Sequence, residues 1–285
     1  MRTLNSGILL VNKEPGMTSR KVSNLIGKKF GVRKVGHLGT LDPFATGLLI
    51  IALNEGTKAL PFLEDDTKTY VAVIKLGLLT STLDPEGEIL EEENIEPINE
   101  VLVRETLNSF IGEITQVPPL TSAIRVDGKR LYEYAHKGES VEVPSRKVMV
   151  HNIRLISYLH PYLEFEAHVG KGTYIRTLGE DIAQKLNTHG TTVKLKRTTN
   201  GIFSLEKAKT INEISVADLI SPSEVLSFFP KYRLDDQGIN DIRNGKKVMV
   251  KAKAEIIQIV DDNDVLHALC RKNGSFYQPF KGFNL

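Results

Sequence analysis

Residues 36–47 read Gly36-His37-Leu38-Gly39-Thr40-Leu41-Asp42-Pro43-Phe44-Ala45-Thr46-Gly47, and they lead into an apolar run. Glycine and proline predict a loop over 36–43, and the apolar run predicts a buried strand over 46–53. Asp42 stands between apolar residues, so a buried carboxylate there needs a cation or hydrogen-bond donors. Alternatively, Asp42 caps its own turn. The alternative for His37 is a core histidine that hydrogen-bonds to a carbonyl. Neither residue has metal-ligating neighbours at a suitable spacing, so no metal site is expected.

A second glycine-rich stretch, Gly170-Lys-Gly-Thr-Tyr-Ile-Arg-Thr-Leu178, leads into a predicted helix over 174–186. Thr173 is the predicted cap of this helix, and Arg176 then projects from its first turn. The helix dipole disfavours a cation at that position unless an anion lies opposite. Asp42 is a candidate for that anion, and the alternative is that Arg176 is an ordinary surface arginine.

The composition is that of an ordinary globular protein. The chain has 285 residues, of which 41% are hydrophobic and 25% charged, and this length suits one large domain and a smaller one. Its longest apolar run is shorter than a membrane span, and its first ten residues lack the apolar core of a signal peptide, so a cytosolic protein is expected. The single cysteine, Cys270, cannot form an intramolecular disulfide or a thiolate zinc site.

Charge is distributed unevenly along the chain. Residues 1–60 carry nine Lys and Arg against three Asp and Glu, whereas residues 61–110 carry three against twelve. The basic block predicts a surface that attracts phosphates, and the acidic block would repel a polyanion. A nucleic acid would therefore dock on one face only, and the alternative is that both blocks are solvated surface.

Hydrophobic patterning predicts an α+β fold. Helices and strands are interspersed without the strand-helix-strand regularity of a doubly wound sheet, which favours a largely antiparallel, mixed sheet. Pro222 and Pro230 bound a predicted short helix at a domain boundary, which gives domains over 1–229 and 230–285. The predicted strands of the first domain lie at 7–11, 46–53, 69–75, 147–157 and 163–169, and its predicted helices at 19–30, 101–110 and 174–186. Four short strands, predicted at 247–251, 255–260, 265–271 and 275–280, indicate a small β-barrel in the second domain.

Several motifs together resemble the TruB family of tRNA pseudouridine synthases. The element Gly-His-x-Gly-x-Leu-Asp-Pro-x-Ala-Thr-Gly within residues 36–47 is highly specific, and the other motifs follow in the family's order. The resemblance implies the pseudouridine synthase fold followed by a small PUA-like β-barrel domain that binds RNA. The other motifs are Gly7-Ile-Leu-Leu-Val-Asn-Lys-Glu-Pro-Gly-Met-Thr-Ser19, Lys68-Thr-Tyr70, Thr82-Leu-Asp-Pro-Glu-Gly87, Gln116-Val-Pro-Pro119, Gly128-Lys-Arg-Leu-Tyr132 and Lys171-Gly-Thr-Tyr-Ile-Arg-Thr-Leu178.

The resemblance also implies an activity and a set of site residues. The activity is isomerisation of a uridine to pseudouridine at position 55 in the T-loop of tRNA, after base flipping and without cofactor or metal. Asp42 is implied as the nucleophile, Arg176 as its ionic partner, and Tyr70 as the tyrosine that stacks on the base and removes the C5 proton. The implied substrate-binding residues are His37, which fills the space that the flipped nucleotide leaves, together with Asp84, Tyr174 and Leu195 in the pocket.

The chain departs from the family's usual residues at three places, which are 12–15, 120–125 and 190–197. These positions are interpreted as turns or RNA contacts. The departures leave the implied catalytic set intact.

Two other functional classes compete with the synthase. A non-catalytic RNA-binding or tRNA-folding protein needs a basic face, but it does not need Asp42, Tyr70 and Arg176 together. A hydrolase could use His37 and Asp42 as acid and base, and it would release free uracil or cleaved RNA. The co-occurrence of the three residues within specific motifs favours the synthase. Guide-RNA-dependent enzymes of the broader family share these motifs, and the compact length favours a stand-alone, monomeric enzyme whose partner is the T-arm of tRNA.

Overall fold

The structure is a computed structural model that describes residues 5–63, 67–119, 122, 125–126, 128–131, 134 and 141–285. Parts of two stretches discussed above, 120–125 and 128–132, lie outside the described residues. No helix in the described part of the chain is long and apolar enough to cross a membrane.

Helices and strands alternate irregularly along the chain. The helices are α1 (Ser19–Lys29), α2 (Glu100–Asn108), α3 (Ile175–Lys185), α4 (Pro222–Val225) and α5 (Asp236–Arg243). The strands are β1 (Gly7–Lys13), β2 (Val35–Leu38), β3 (Thr46–Leu53), β4 (Thr67–Leu76), β5 (Leu78–Thr80), β6 (Ile89–Glu92), β7 (Gly112–Gln116), β8 (Arg125–Val126), β9 (Lys129–Arg130), β10 (Arg146–Leu159), β11 (Tyr162–Gly170), β12 (Gly190–Asn200), β13 (Phe203–Ser204), β14 (Lys231–Arg233), β15 (Ile256–Val260), β16 (Leu266–Asn273) and β17 (Phe276–Gly282). The five strands predicted for the first domain are present, as are the helices predicted at 19–30, 101–110 and 174–186, with ends displaced by at most two residues. The short helix predicted between Pro222 and Pro230 ends earlier, at Val225.

One large sheet organises the first domain. Its strand order is β1-β3-β12-β4-β11-β10-β7, with β2 paired to β3 and β13 paired to β12. The β3–β12 pair is parallel and the other pairs of this sheet are antiparallel. The prediction of an α+β fold with a largely antiparallel, mixed sheet is therefore confirmed.

Two strands of this sheet are buried on both faces, which explains their continuous apolar runs. On one face of β1 and β3, residues such as Leu9 and Ile51 pack in a core with α1 and α3. On the other face, residues such as Ile8 and Ile50 pack against the C-terminal residues of the chain. The catalytic candidates all lie on or beside the first of these faces.

The C-terminal residues form a four-stranded sheet in the order β14-β15-β16-β17, with α5 packed against it. Phe283 is buried in the core shared with β1 and β3, and the Asn284 amide donates to Glu55 Oε2 over 2.7 Å. Lys58 Nζ donates to the Gly282 carbonyl over 2.7 Å. This sheet is thus docked on the large sheet rather than loosely tethered to it.

Three local predictions are wrong. Residues 35–38 form β2 rather than a loop, because they pair with β3 and place His37 opposite Ile51. Residues 247–251 do not form a strand, apart from a single bridge between Val248 and Tyr277. The turn interpretation of 190–197 fails because these residues belong to β12, in the middle of the large sheet.

The side chain of Arg197 connects β12 to the segment 36–48, which carries Asp42. This side chain is fully buried, and its Nε and Nη2 atoms donate to the carbonyls of Leu48 over 2.8 Å and Gly39 over 2.7 Å. Gly47 has a φ of +96°, and a Cβ there would lie 2.3 Å from the Arg197 carbonyl oxygen. The backbone of β12 at Arg197 therefore packs directly against the backbone at Gly47. The Arg197 guanidinium also bonds to the carbonyls of Leu48 and Gly39.

Replacing Arg197 with methionine tests this support. The variant removes the donor to the buried Leu48 carbonyl and to the half-buried Gly39 carbonyl, so its free energy of unfolding should fall by about 1–3 kcal/mol for the buried one and by less for the other. Denaturant unfolding measures the change. Arg233→Met is the matched control, because Arg233 is exposed and forms a surface ion pair with Asp264, and it should cost less than about 1 kcal/mol. Equal losses in the two variants would contradict the role given to Arg197.

Replacing Phe283 with alanine tests the docking of the C-terminal sheet. Phe283 is 1% exposed, and its truncation should lower the free energy of unfolding by about 3–5 kcal/mol. Phe276→Ala is the control, because Phe276 is 41% exposed and loses less buried area. If Phe283→Ala unfolds at the denaturant midpoint of the wild type, the shared core does not stabilise the protein.

Candidate active site

The centre of the candidate site is an ion pair between Asp42 and Arg176. Arg176 Nε lies 2.9 Å from Asp42 Oδ2, and Arg176 Nη2 donates to Asp42 Oδ1 over 3.1 Å. The Arg176 side chain is 2% exposed and that of Asp42 is 29% exposed. Asp42 is thus the anion that the helix-dipole argument requires opposite an arginine in the first turn of α3.

The start of α3 differs in one detail from the prediction. The residue that caps the helix is Tyr174, which makes no side-chain capping bond. Thr173 instead donates its hydroxyl to the Gly170 carbonyl over 3.0 Å. Arg176 is the second residue of the helix, so its position in the first turn is as predicted.

Arg176 also contacts a second carboxylate. Its Nη1 atom lies 3.0 Å from Asp84 Oδ2 and donates to the Thr82 carbonyl over 2.9 Å. Asp84 Oδ1 accepts from the Thr82 hydroxyl over 2.5 Å and from the Glu86 amide over 3.0 Å. The guanidinium therefore bridges two carboxylates, one of which is held by its own turn.

Lys13, at the end of β1, holds the chain just after Asp42. Its buried Nζ donates to the carbonyls of Pro43 over 2.9 Å and Ala45 over 2.6 Å. Burial lowers the pKa of Lys13 to about 8, although the charge of Asp42 opposes this shift. Sequence reasoning missed Lys13, and the signal for it was a lysine at the end of an otherwise apolar strand.

Opposing contributions act on the pKa of Asp42. Burial raises its pKa above the ordinary value, and the charge of Asp84 raises it further. The charge and hydrogen bond of Arg176 and the charge of Lys13 lower it. The two cations thus favour the ionised carboxylate against the effect of burial.

A cavity of about 90 Å³ lies beside this ion pair. Tyr70 reaches it from β4, where its strand neighbours are Ala167 on β11 and Arg197 on β12. Five of the seven residues predicted for the site therefore border one cavity. Its lining residues are Thr40, Leu41, Asp42, Tyr70, Thr173, Tyr174, Ile175, Arg176 and Leu195.

The other two predicted residues do not line this cavity. Asp84 forms an ion pair with Arg176, as described above. His37 is half-buried on β2, where Nδ1 is 3.1 Å from the Ser23 hydroxyl and Nε2 is 3.3 Å from the hydroxyl of Thr40, a lining residue. Burial lowers the pKa of His37, and the charges of Arg20 and Arg197 lower it further.

Two other features of the described ranges are their potential metal ligands and a larger groove. No group of three or more His, Cys, Asp and Glu side chains in these ranges is placed to hold a metal ion. A larger groove of about 800 Å³ lies in the C-terminal sheet, and Arg243, His267, Phe280 and Lys281 are among its lining residues. This groove contains none of the residues around Asp42.

Known proteins resemble the chain along nearly its whole length. A protein of Clostridium tetani named tRNA pseudouridine synthase B is 41% identical to this chain over 265 residues. The match covers 92% of this chain and 91% of that protein. The protein of that name in Caldanaerobacter subterraneus subsp. tengcongensis is 38% identical over 281 residues, covering 97% and 99%. The one in the Aster yellows witches'-broom phytoplasma is 40% identical over 282 residues, covering 96% and 99%.

Solved structures with lower identity share the fold. A chain in a crystal structure of a Cbf5-Nop10-Gar1 complex has a TM-score of 0.71 at 22% identity, covering 99% of this chain and 85% of that one. The family model described as "TruB family pseudouridylate synthase (N terminal domain)" matches residues 27–175 of this chain. The chain therefore belongs to the TruB family of pseudouridylate synthases, enzymes of the isomerase class.

Proposed function

We propose that this enzyme converts the uridine at position 55, in the T-loop of tRNA, to pseudouridine, with Asp42 as the nucleophile. The names of its relatives give tRNA as their substrate. The observation that supports the role of Asp42 is its ion pair with Arg176 at the wall of a cavity that Tyr70 and Tyr174 also line. A carboxylate, a cation that keeps it ionised and aromatic rings that can stack on a base are thereby brought together.

The reaction rearranges bonds within one nucleotide. The bond between N1 and C1′ breaks, a bond between C5 and C1′ forms, C5 loses a proton and N1 gains one. Asp42 attacks either the ribose C1′ or the uracil ring, and both routes require its ionised form. Arg176 supplies the positive charge that maintains this form against burial. Tyr70 lines the same cavity, where it stacks on the base and accepts the C5 proton.

The position of Asp42 in the wall of a cavity supports base flipping. A base within a stacked loop cannot reach Asp42, so the target nucleotide must leave the stack and enter the cavity. His37 lies on the strand that precedes the Asp42 loop and bonds to Thr40 at the cavity wall. We assign to His37 the filling of the space that the nucleotide leaves, and to Leu195 a contact with the inserted base.

The surface charges support one direction of approach for the tRNA. Arg20 and Lys21 are exposed on α1, and Arg33 and Lys34 are exposed between α1 and β2, beside His37. These cations are suited to phosphate contacts, which depend on salt concentration. The acidic residues of β6 would repel the RNA.

The second domain, residues 230–285, is assigned to RNA binding. It carries ten Lys and Arg against seven Asp and Glu. Its groove combines Arg243 and Lys281 with the exposed ring of Phe280, and such a combination binds unpaired nucleotides by charge and stacking. Its docking on β1 and β3 fixes this groove relative to the Asp42 cavity.

Replacing Asp42 with asparagine tests the nucleophile. The amide keeps the shape of the side chain but lacks the charge and the nucleophilic electron pair, so pseudouridine formation should fall below detection. Binding of tRNA should stay within a few-fold of the wild type, because phosphate contacts dominate the affinity. Asp262→Asn, an exposed aspartate of the second domain, is the matched control and should keep full activity. Near-normal turnover by Asp42→Asn would rule out the proposed role.

Replacing Arg176 with lysine tests the electrostatic part of the mechanism. Lysine cannot reproduce the two-point contact with Asp42, so the pKa of Asp42 should rise further above its ordinary value. Activity requires the ionised carboxylate, so the acid limb of the pH-rate profile should move to higher pH. Arg154→Lys, on the far strand β10, should leave the profile unchanged. An unshifted acid limb in Arg176→Lys, with activity reduced equally at all pH values, would contradict this mechanism.

A further inference from the structure

Gln116 makes a two-point contact with the residue that begins α3. Its Oε1 accepts from the Tyr174 amide over 3.0 Å, and its Nε2 donates to the Tyr174 carbonyl over 3.2 Å. Gln116 is 1% exposed and is the last residue of β7. Because Tyr174 makes no side-chain capping bond of its own, this amide fixes the backbone at the start of the helix.

Arg146 holds the ring of the same tyrosine. It is the strand partner of Gln116, at the start of β10, and its guanidinium carbon lies 4.8 Å from the centroid of the Tyr174 ring. Its Nη2 donates to the Gly172 carbonyl. Gly172 has a φ of +87°, a backbone conformation that favours glycine, and this conformation presents its carbonyl to Arg146.

We propose that Gln116 and Arg146 are positioning residues for pseudouridine formation. They hold Tyr174, two residues before Arg176, and thereby keep the Arg176 guanidinium against Asp42. Neither residue lines the cavity, so both act through the start of α3. The inference rests on the proposed role of Asp42 as the nucleophile.

This arrangement predicts an effect on chemistry rather than on tRNA binding. A shift of about 1 Å at the start of α3 would loosen the contact between Arg176 and Asp42, and such misplacement lowers rates by up to about 100-fold. The pKa of Asp42 would rise, because its main compensating cation would be farther away. The charged groups that act on Asp42 are Arg176, Lys13, Asp84 and Glu86.

The experiment compares two buried glutamines in the full-length enzyme. Gln116→Met removes the contact with Tyr174. Gln258→Met is the matched control, because Gln258 is fully buried in the second domain and donates to the Leu226 and Phe229 carbonyls over 2.8 and 3.0 Å. The measurements are kcat, KM for tRNA, the pH profile of kcat and the thermal unfolding midpoint.

We expect Gln116→Met to lower kcat by about 10-fold to 100-fold with little change in KM, and to move the acid limb to higher pH. Gln258→Met should lower the unfolding midpoint but leave kcat and the acid limb unchanged. In an Arg176→Lys background, Gln116→Met should cost much less than it does alone, because the two residues act through one contact.

Arg146→Lys provides a second variant if Gln116→Met does not fold. It keeps the charge but removes the planar contact with the Tyr174 ring, and it should shift the acid limb in the same direction. A wild-type acid limb in whichever of these variants folds, with Asp42→Asn inactive, would overturn the positioning role alone. An active Asp42→Asn would overturn the proposed function and this inference with it.

Discussion

One buried guanidinium joins three distant segments of this chain. Arg176 lies in the first turn of α3, Asp42 lies in the loop before β3, and Asp84 lies in the turn after β5. Burying an arginine is unfavourable unless carboxylates and carbonyls surround it, and removing one partner of such a contact is strongly destabilising. The three segments must therefore converge whenever the protein is folded, and the same convergence places the Asp42 carboxylate at the cavity.

Other buried contacts hold these three segments in position. Arg197 joins β12 to the loop that carries Asp42, and Lys13 holds the residues that follow it. The large sheet provides the frame, and the C-terminal sheet covers the outer face of β1 and β3. A site supported by strands and buried hydrogen bonds is preorganised, which suits a reaction that depends on the orientation of one nucleotide.

Sequence reasoning succeeded where a local pattern has a local physical cause. Five strands and three helices of the first domain were predictable from apolar periodicity, and the unfavourable position of Arg176 on a helix dipole indicated an anion opposite. Contacts between distant segments were not predictable in this way. Lys13, Gln116 and Arg197 are polar residues that bond to backbone groups far away in the chain, so their partners cannot be identified from their neighbouring residues. The strand β12 was missed because two of its buried positions are threonines and one is an arginine.

The central claim is that the pair of Asp42 and Arg176 serves the isomerisation of one uridine in tRNA. The most direct measurement incubates the enzyme with an unmodified tRNA transcript and then maps every pseudouridine in the product. We expect a single pseudouridine, at position 55 of the T-loop, formed without release of free uracil. No pseudouridine, pseudouridine only at other positions, or free uracil with an abasic tRNA would contradict it.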